Sequence, residues 1–284
     1  MTTRLVSSIE EIRNEIRSAQ RAGQTVGLVP TMGALHAGHL ELIKQSTANN
    51  DRTVVTLFVN PTQFTDATDL NNYPRDVDTD LAACQASNVD SLFAPSVEEM
   101  YPEKPLTFVN VEGVSEGLCG DYRPGHFRGV ATVCAKLFSI APADRAYFGQ
   151  KDYQQLAVIR RLVQDLNLAI EIIGVPTVRE GDGLAMSSRN RRLSPEERRA
   201  APVVYRALEA VQAAVLAGEQ DATKLIDIAR AAISTEPLAR IEYIEIVDRD
   251  TIAPVDSVDT ERRIAAAVWF GNVRLIDNIA LIPK

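Results

Sequence analysis

Val29-Pro30-Thr31-Met32-Gly33-Ala34-Leu35-His36-Ala37-Gly38-His39-Leu40 decides how this chain is to be read. The apolar run before it, Thr25 to Val29, predicts a buried strand, and Leu40-Glu41-Leu42-Ile43-Lys44 after it predicts a helix. A strand, a Gly-containing turn and a helix N-terminus together suit an anion, because the first helical N–H groups lack intrahelical acceptors and the dipole is positive there. Gly33 and Gly38 carry no Cβ, so a ligand can lie close to the backbone. His36 and His39 are three apart and share one side of a helical turn. Paired imidazoles beside an anion can donate hydrogen bonds to phosphate oxygens. The stretch lacks the Gly-Lys-Ser/Thr of a Walker loop and is not a G-x-G-x-x-G dinucleotide turn.

Composition narrows the function classes. The 284 residues allow one large domain or two modest ones. A net charge of −8 argues against broad nucleic-acid binding. No run of 18 apolar residues predicts a membrane span. Met1-Thr2-Thr3-Arg4 has no apolar signal core, so the expected location is the cytoplasm. Cys84, Cys119 and Cys134 are odd in number and widely spaced, which indicates neither a disulfide framework nor a zinc site.

The rest of the chain follows the same grammar. Ser8-Ile9-Glu10-Glu11 has capping-box spacing, and Ile9, Ile12, Ile16 and Ala19 recur at helical spacing up to Gly23. Arg52 to Val59 predicts a parallel core strand, Asp76 to Ala86 a helix, Asp90 to Pro95 a strand, and Leu106 to Val111 a short strand at an edge. Beyond the second strand, where ligands sit in open parallel sheets, stand the neutral amides of Asn60 and Gln63. They suit a hydroxyl and a carboxylate; Asn60-Pro61 is also ordinary turn chemistry. Gly120 to Val130 is a basic, Gly-containing loop before an apolar helix, Val130 to Ile140. Its Arg123 can hold two oxygens of a carboxylate or phosphate. Arg145 to Phe148 predicts a strand that runs into Gly149-Gln150-Lys151-Asp152, with Asp152 as N-cap of the next helix. Lys151 then stands where a phosphate is expected. Ala169 to Val175 is the last parallel strand, and Leu184 to Asn190 is a basic, hydroxyl-bearing segment able to close over a triphosphate.

After Ser194-Pro195 the composition changes. One Ala-rich helix to Leu216, a second over Ala222 to Ile233, and strands at Ile241–Val247, Ile264–Phe270 and Val273–Ile282 predict a small α+β domain. The alternating first part predicts a doubly wound parallel α/β sheet. The boundary falls near residue 187, giving domains 1–187 and 188–284.

The core string resembles the His-x-Gly-His signature of the adenylate-forming nucleotidyltransferases. In its longer form, Pro30-Thr31-Met32-Gly33-Ala34-Leu35-His36-Ala37-Gly38-His39, it is similar to the pantoate–β-alanine ligase family. Arg123-Pro124-Gly125-His126-Phe127 and Met186-Ser187-Ser188-Arg189 match further segments of that family, the latter a relative of the Lys-Met-Ser-Lys-Ser loop of class I aminoacyl-tRNA synthetases. Five such motifs fall in the family's order over essentially the whole chain. One departs: the family usually has Glu where this chain has Gln150.

The resemblance implies a Rossmann-like first domain and a smaller C-terminal lid domain. It implies ATP as a substrate with Mg²⁺, pantoate and β-alanine as the other substrates, and a homodimer through the first domain. ATP is expected at Met32, Gly33, Ala34, Leu35, His36, Ala37, Gly38 and His39, at Gly149, Gln150, Lys151 and Asp152, and at Val178, Met186, Ser187, Ser188 and Arg189. Asn60, Gln63, Arg123 and Gln155 are expected at the other substrates. His36, His39 and Lys151 are the expected catalytic groups, with His39 in proton transfer, and no side chains are expected as dedicated metal ligands. Another nucleotidyltransferase of the same superfamily, and a non-catalytic nucleotide-binding regulator, also fit the first motif. Neither explains why Arg123, Lys151 and Arg189 accompany the histidines.

Overall fold

A computed structural model describes residues 2–64, 70, 71 and 73–284, so Met1 of the segment read for a signal core lies outside it. The chain packs as two compact units. The first comprises Met1–Val111, Arg123–Gln150 and Val158–Pro176; the second comprises Glu112–Tyr122, Lys151–Ala157 and Thr177–Lys284.

In the first unit six strands form one sheet: β1 (Arg4–Val6), β2 (Val26–Thr31), β3 (Arg52–Leu57), β4 (Ser91–Phe93), β5 (Arg145–Gly149) and β6 (Glu171–Val175). Their order is β1-β4-β3-β2-β5-β6 and every pairing is parallel. β2 and β3 are apolar at successive positions because helices cover both faces of a parallel sheet. From β2 the chain steps outward through β3 and β4, then returns to place β5 on the other side of β2. Loops leaving β2 and β5 therefore diverge, and the crevice at that switch is where open α/β sheets bind ligands.

The helix Ala37–Asn49 buries Leu42 and Ile43 against Val29, Val55, Leu57 and Tyr147. Each such aliphatic side chain contributes about 1.5–3 kcal/mol on burial. Ser8 caps the helix Ile9–Arg21, which buries Ile12, Ile16 and Ala19.

In the second unit β7 (Ala239–Asp248), β8 (Arg262–Phe270) and β9 (Val273–Leu281) form an antiparallel sheet. Gly271 turns β8 into β9 at φ +53°, a left-handed angle that tight hairpins require. Helices Val203–Leu216 and Ala222–Ile233 supply Leu208, Val211, Leu225 and Ile233 to a core shared with Ile246, Ile264 and Phe270.

Two expected elements differ. Leu106 to Val111 is not a strand. Leu106 is 90% exposed, and the Val109 N–H donates to Thr132 Oγ1 at 3.0 Å, so a side chain takes the place of a ladder partner. The single Ala-rich helix is two, Pro195–Ala200 and Val203–Leu216, because Pro202 has no N–H to continue the first. Among the described residues no helix is long and apolar enough to cross a membrane.

Candidate functional site

β2 ends at Thr31, and the chain turns through Gly33 (φ +88°) and Ala34 (φ +53°) before helix Ala37–Asn49 begins. A buried carboxylate holds this turn in shape: the Ala34 and Leu35 N–H groups donate to Asp80 Oδ2 and Oδ1 at 2.9 and 2.8 Å. A Cβ on Gly33 would stand 2.9 Å from the same Oδ2. No motif in the sequence singles out Asp80. The available signal is its position one helical turn before Cys84 on the buried face of Val77–Ala86, where a carboxylate needs partners.

His36 is the N-cap of the next helix, and its Nδ1 accepts from the Gly38 N–H at 3.1 Å. That bond leaves the ring proton on Nε2, the neutral tautomer. The His36 and His39 rings stack with centroids 4.1 Å apart. The expected pairing of the two imidazoles is thus present at the helix start.

Asn60, Gln63, Met32 and Arg123 converge in the same unit. Asn60 is 1% exposed and its amide is spent on the protein: Nδ2 donates to Gln63 Oε1 (3.1 Å) and Gly129 O (3.2 Å). Its Oδ1 accepts from Thr62 and from the Tyr101 hydroxyl. Burial pushes the Tyr101 phenol above its ordinary pKa, which keeps it the donor. Gln63 Nε2 reaches Met32 Sδ at 3.1 Å, joining the second motif to the first. Gly129 makes this approach possible, since a Cβ there would lie 2.4 Å from Thr62 O.

His126, which has no role in the sequence reading, bridges the cluster. Its Nδ1 donates to Gln63 O at 2.9 Å, so its Nε2 is the acceptor for Arg123 Nη1 at 3.0 Å. Arg123 is thereby aimed by an imidazole that is itself fixed to the turn carrying Gln63.

Gly149 and Gln150 end a segment of the first unit, with Gln150 Nε2 donating to Gly174 O at 3.3 Å. Lys151 and Asp152 belong to the second unit, in the 3-10 turn Gln150–Asp152 that leads straight into helix Tyr153–Asp165. Lys151 Nζ lies 3.9 Å from Asp152 Oδ1. Gln154 is buried and bonds the Cys119 N–H and the carbonyls of Val114, Glu116 and Gly117. Its neighbour Gln155 is half-buried and makes no side-chain hydrogen bond to the described residues.

Val178 and Met186 flank the antiparallel bridge between Arg179 and Ala185, the Met186 N–H donating to Val178 O at 2.9 Å. Ser187 caps the 3-10 turn Ser188–Arg192, its Oγ accepting from the Arg189 N–H. Asn190 ties this turn to Glu180 and Ala185 O. Arg198 pairs with Glu180 and Asp182, holding the Asp182 carboxyl below its usual range.

Among the described residues no three His, Cys, Asp or Glu side chains gather as a metal-ligand set. The arrangement offers imidazoles, amides, a guanidinium and helix-start N–H groups, which suit phosphate and carboxylate oxygens.

A family model described as pantoate-beta-alanine ligase matches residues 4–280. The chain is 51% identical over 276 residues to the pantothenate synthetase of Acetivibrio thermocellus, covering 97% of this chain and 98% of that one. It is 53% identical over 278 residues to the pantothenate synthetase of Heliobacterium modesticaldum, covering 98% and 99%. The crystal structure of pantothenate synthetase from Thermus thermophilus is similar at TM-score 0.94 and 46% identity, over 99% of this chain and 100% of that one. Pantoate-beta-alanine ligase from Francisella tularensis, solved with beta-gamma ATP and beta-alanine, is similar at TM-score 0.78 and 34% identity, over 98% and 97%.

Proposed function

The chain belongs to the pantoate–β-alanine ligase family, and from that premise we propose how its own residues carry the reaction. It is an enzyme that joins pantoate to β-alanine with ATP as a substrate. The proposed route runs through a pantoyl-adenylate. The pantoate carboxylate, ionised at neutral pH because such acids have pKa values of about 4, attacks the α-phosphorus of ATP. The bond from that phosphorus to the bridging oxygen breaks, and pyrophosphate leaves. The β-alanine amine then attacks the activated acyl carbon, AMP leaves, and the proton shed by the amine passes to His39.

No base is needed for the first step; it needs charge neutralisation and alignment. The single observation that carries this assignment is the stacked pair His36–His39 at the helix start after β2, with His36 fixed as a neutral Nε2–H donor. Lys151, Ser187, Ser188 and Arg189 are assigned to the phosphates, and Met32 to Gly38, Gly149, Gln150, Asp152, Val178 and Met186 to the rest of ATP. Gln63, Arg123 and Gln155 are assigned to pantoate and β-alanine, with Asn60, expected beside them but with its amide spent on the protein, as their support. Within that set Asn60 orients the Gln63 amide, and His126 aims Arg123.

Mg²⁺ is proposed to arrive on ATP, supplying further neutralisation of phosphate charge; the donors gathered here, imidazoles and amides, suit oxygens of the nucleotide more than a hard cation. A cytoplasmic homodimer, with domains 1–187 and 188–284, completes the proposal. The test is isotopic: pantoate labelled with ¹⁸O in its carboxylate should deliver one label to AMP. Label retained wholly in pantothenate would mean that the carboxylate never bonded to phosphorus.

A further inference from the structure

What fixes Lys151 comes from the C-terminal hairpin. Asn278, buried on β9, donates from Nδ2 to the Lys151 carbonyl at 2.8 Å. Its Oδ1 accepts from Arg263 Nη1 at 3.4 Å. Arg263, on β8, is 8% exposed, and its guanidinium lies over the ring of Tyr153, 3.9 Å from the centroid. Its Nε has no hydrogen-bond partner among the described residues. The adjacent carboxylate of Asp277 is already held by Arg179, at 2.6 and 2.9 Å. A buried guanidinium without a carboxylate is costly. Here it stacks beneath one end of the segment 151–153 and steadies the amide that grips the other.

The geometry points to Asn278 as a positioning residue for the adenylation half-reaction. Backed by Arg263 and Tyr153, it fixes the backbone at Lys151 and so the root from which the ammonium reaches the phosphates. The inference rests on the proposed role of Lys151. Its leverage is geometric: displacing a charge by about 1 Å from its working position can cost about 10²-fold in rate.

Asn278→Asp separates positioning from packing. The shape is kept, but a carboxylate cannot donate to the Lys151 carbonyl, while it gives Arg263 an ion-pair partner. The expected result is a Tm equal to or above the parent's. With it, kcat for pantoate-dependent pyrophosphate–ATP exchange falls about tenfold and the KM for pantoate is unchanged. Lys151→Ala should lose about 10²–10³, the scale for one preorganised electrostatic contact. Adding Asn278→Asp to Lys151→Ala should cost nothing more, because one acts through the other. Should Asn278→Asp be recovered unfolded, Asn278→Ala removes the same donor without adding charge and carries the same kinetic expectation. A folded variant with normal exchange overturns the inference, as does a loss that adds in full to that of Lys151→Ala. Near-normal exchange by Lys151→Ala overturns the role given to Lys151 and the inference with it. A crippled Lys151→Ala beside a normal Asn278→Asp overturns the inference alone.

Discussion

Gln63 and Asn60 share one turn but use their amides differently. Both side-chain polar atoms of Asn60 are engaged with the protein, whereas Gln63 accepts from Asn60 and directs its Nε2 toward Met32. A neutral amide so placed can accept or donate beside an anionic substrate without adding charge. Gln63→Glu keeps the shape and still accepts from Asn60, but it brings a negative charge to a buried site, where repulsion is strong. Pantoate binding should weaken about 10- to 100-fold, in line with roughly 1–3 kcal/mol per mispaired polar group, while ATP binding changes less than about threefold. Calorimetric dissociation constants for the two ligands check this; equal weakening of both would remove the specificity assigned to Gln63. The imidazole pair is legible in the sequence because a spacing of three on a helix dictates proximity. The partners of these site residues are not. Asp80 meets Leu35, and His126 meets Gln63, across 45 and 63 positions of sequence. Such meetings are set by packing, and neither residue sits in a pattern that names its partner.

Elements are legible where period and caps agree. Ser194 with Glu197 forms a full capping box, and Ala222–Ile233 begins directly after its Asp221 cap. They mislead where an apolar alternation has no strand to pair with, as at Leu106 to Val111. β7 carries its own test of electrostatics. Glu245, half-buried on this strand, has its pKa raised by burial and by the nearby Asp121. A carboxyl raised on folding binds its proton more tightly in the folded state. Its penalty is therefore absent below the unfolded pKa, grows through the window between the unfolded and folded values, and is complete above it. Glu245→Gln should raise Tm at pH 7 to 8, and the advantage should disappear as pH falls below about 4, near the ordinary Glu pKa. Thermal melts across pH check it; an advantage independent of pH would point to packing instead.

At the scale of the molecule, strand–helix alternation announces a parallel sheet, and the change after Ser194 announces a different layer. The strand order, with β5 returned to the side of β2, follows from the tendency of such sheets to wind both ways from a central strand. Local pattern does not show that 112–122 and 151–157 pack with the second unit. That exchange depends on contacts such as Gln154 with Val114 and Tyr153 with Arg249, between residues far apart in sequence. On the proposed route the acyl-adenylate forms before the enzyme meets the amine. Exchange of labelled pyrophosphate into ATP, measured with pantoate and Mg²⁺ and without β-alanine, tests it most directly. The expected result is rapid exchange that vanishes when pantoate is omitted; exchange that strictly requires β-alanine would rule out the free acyl-adenylate.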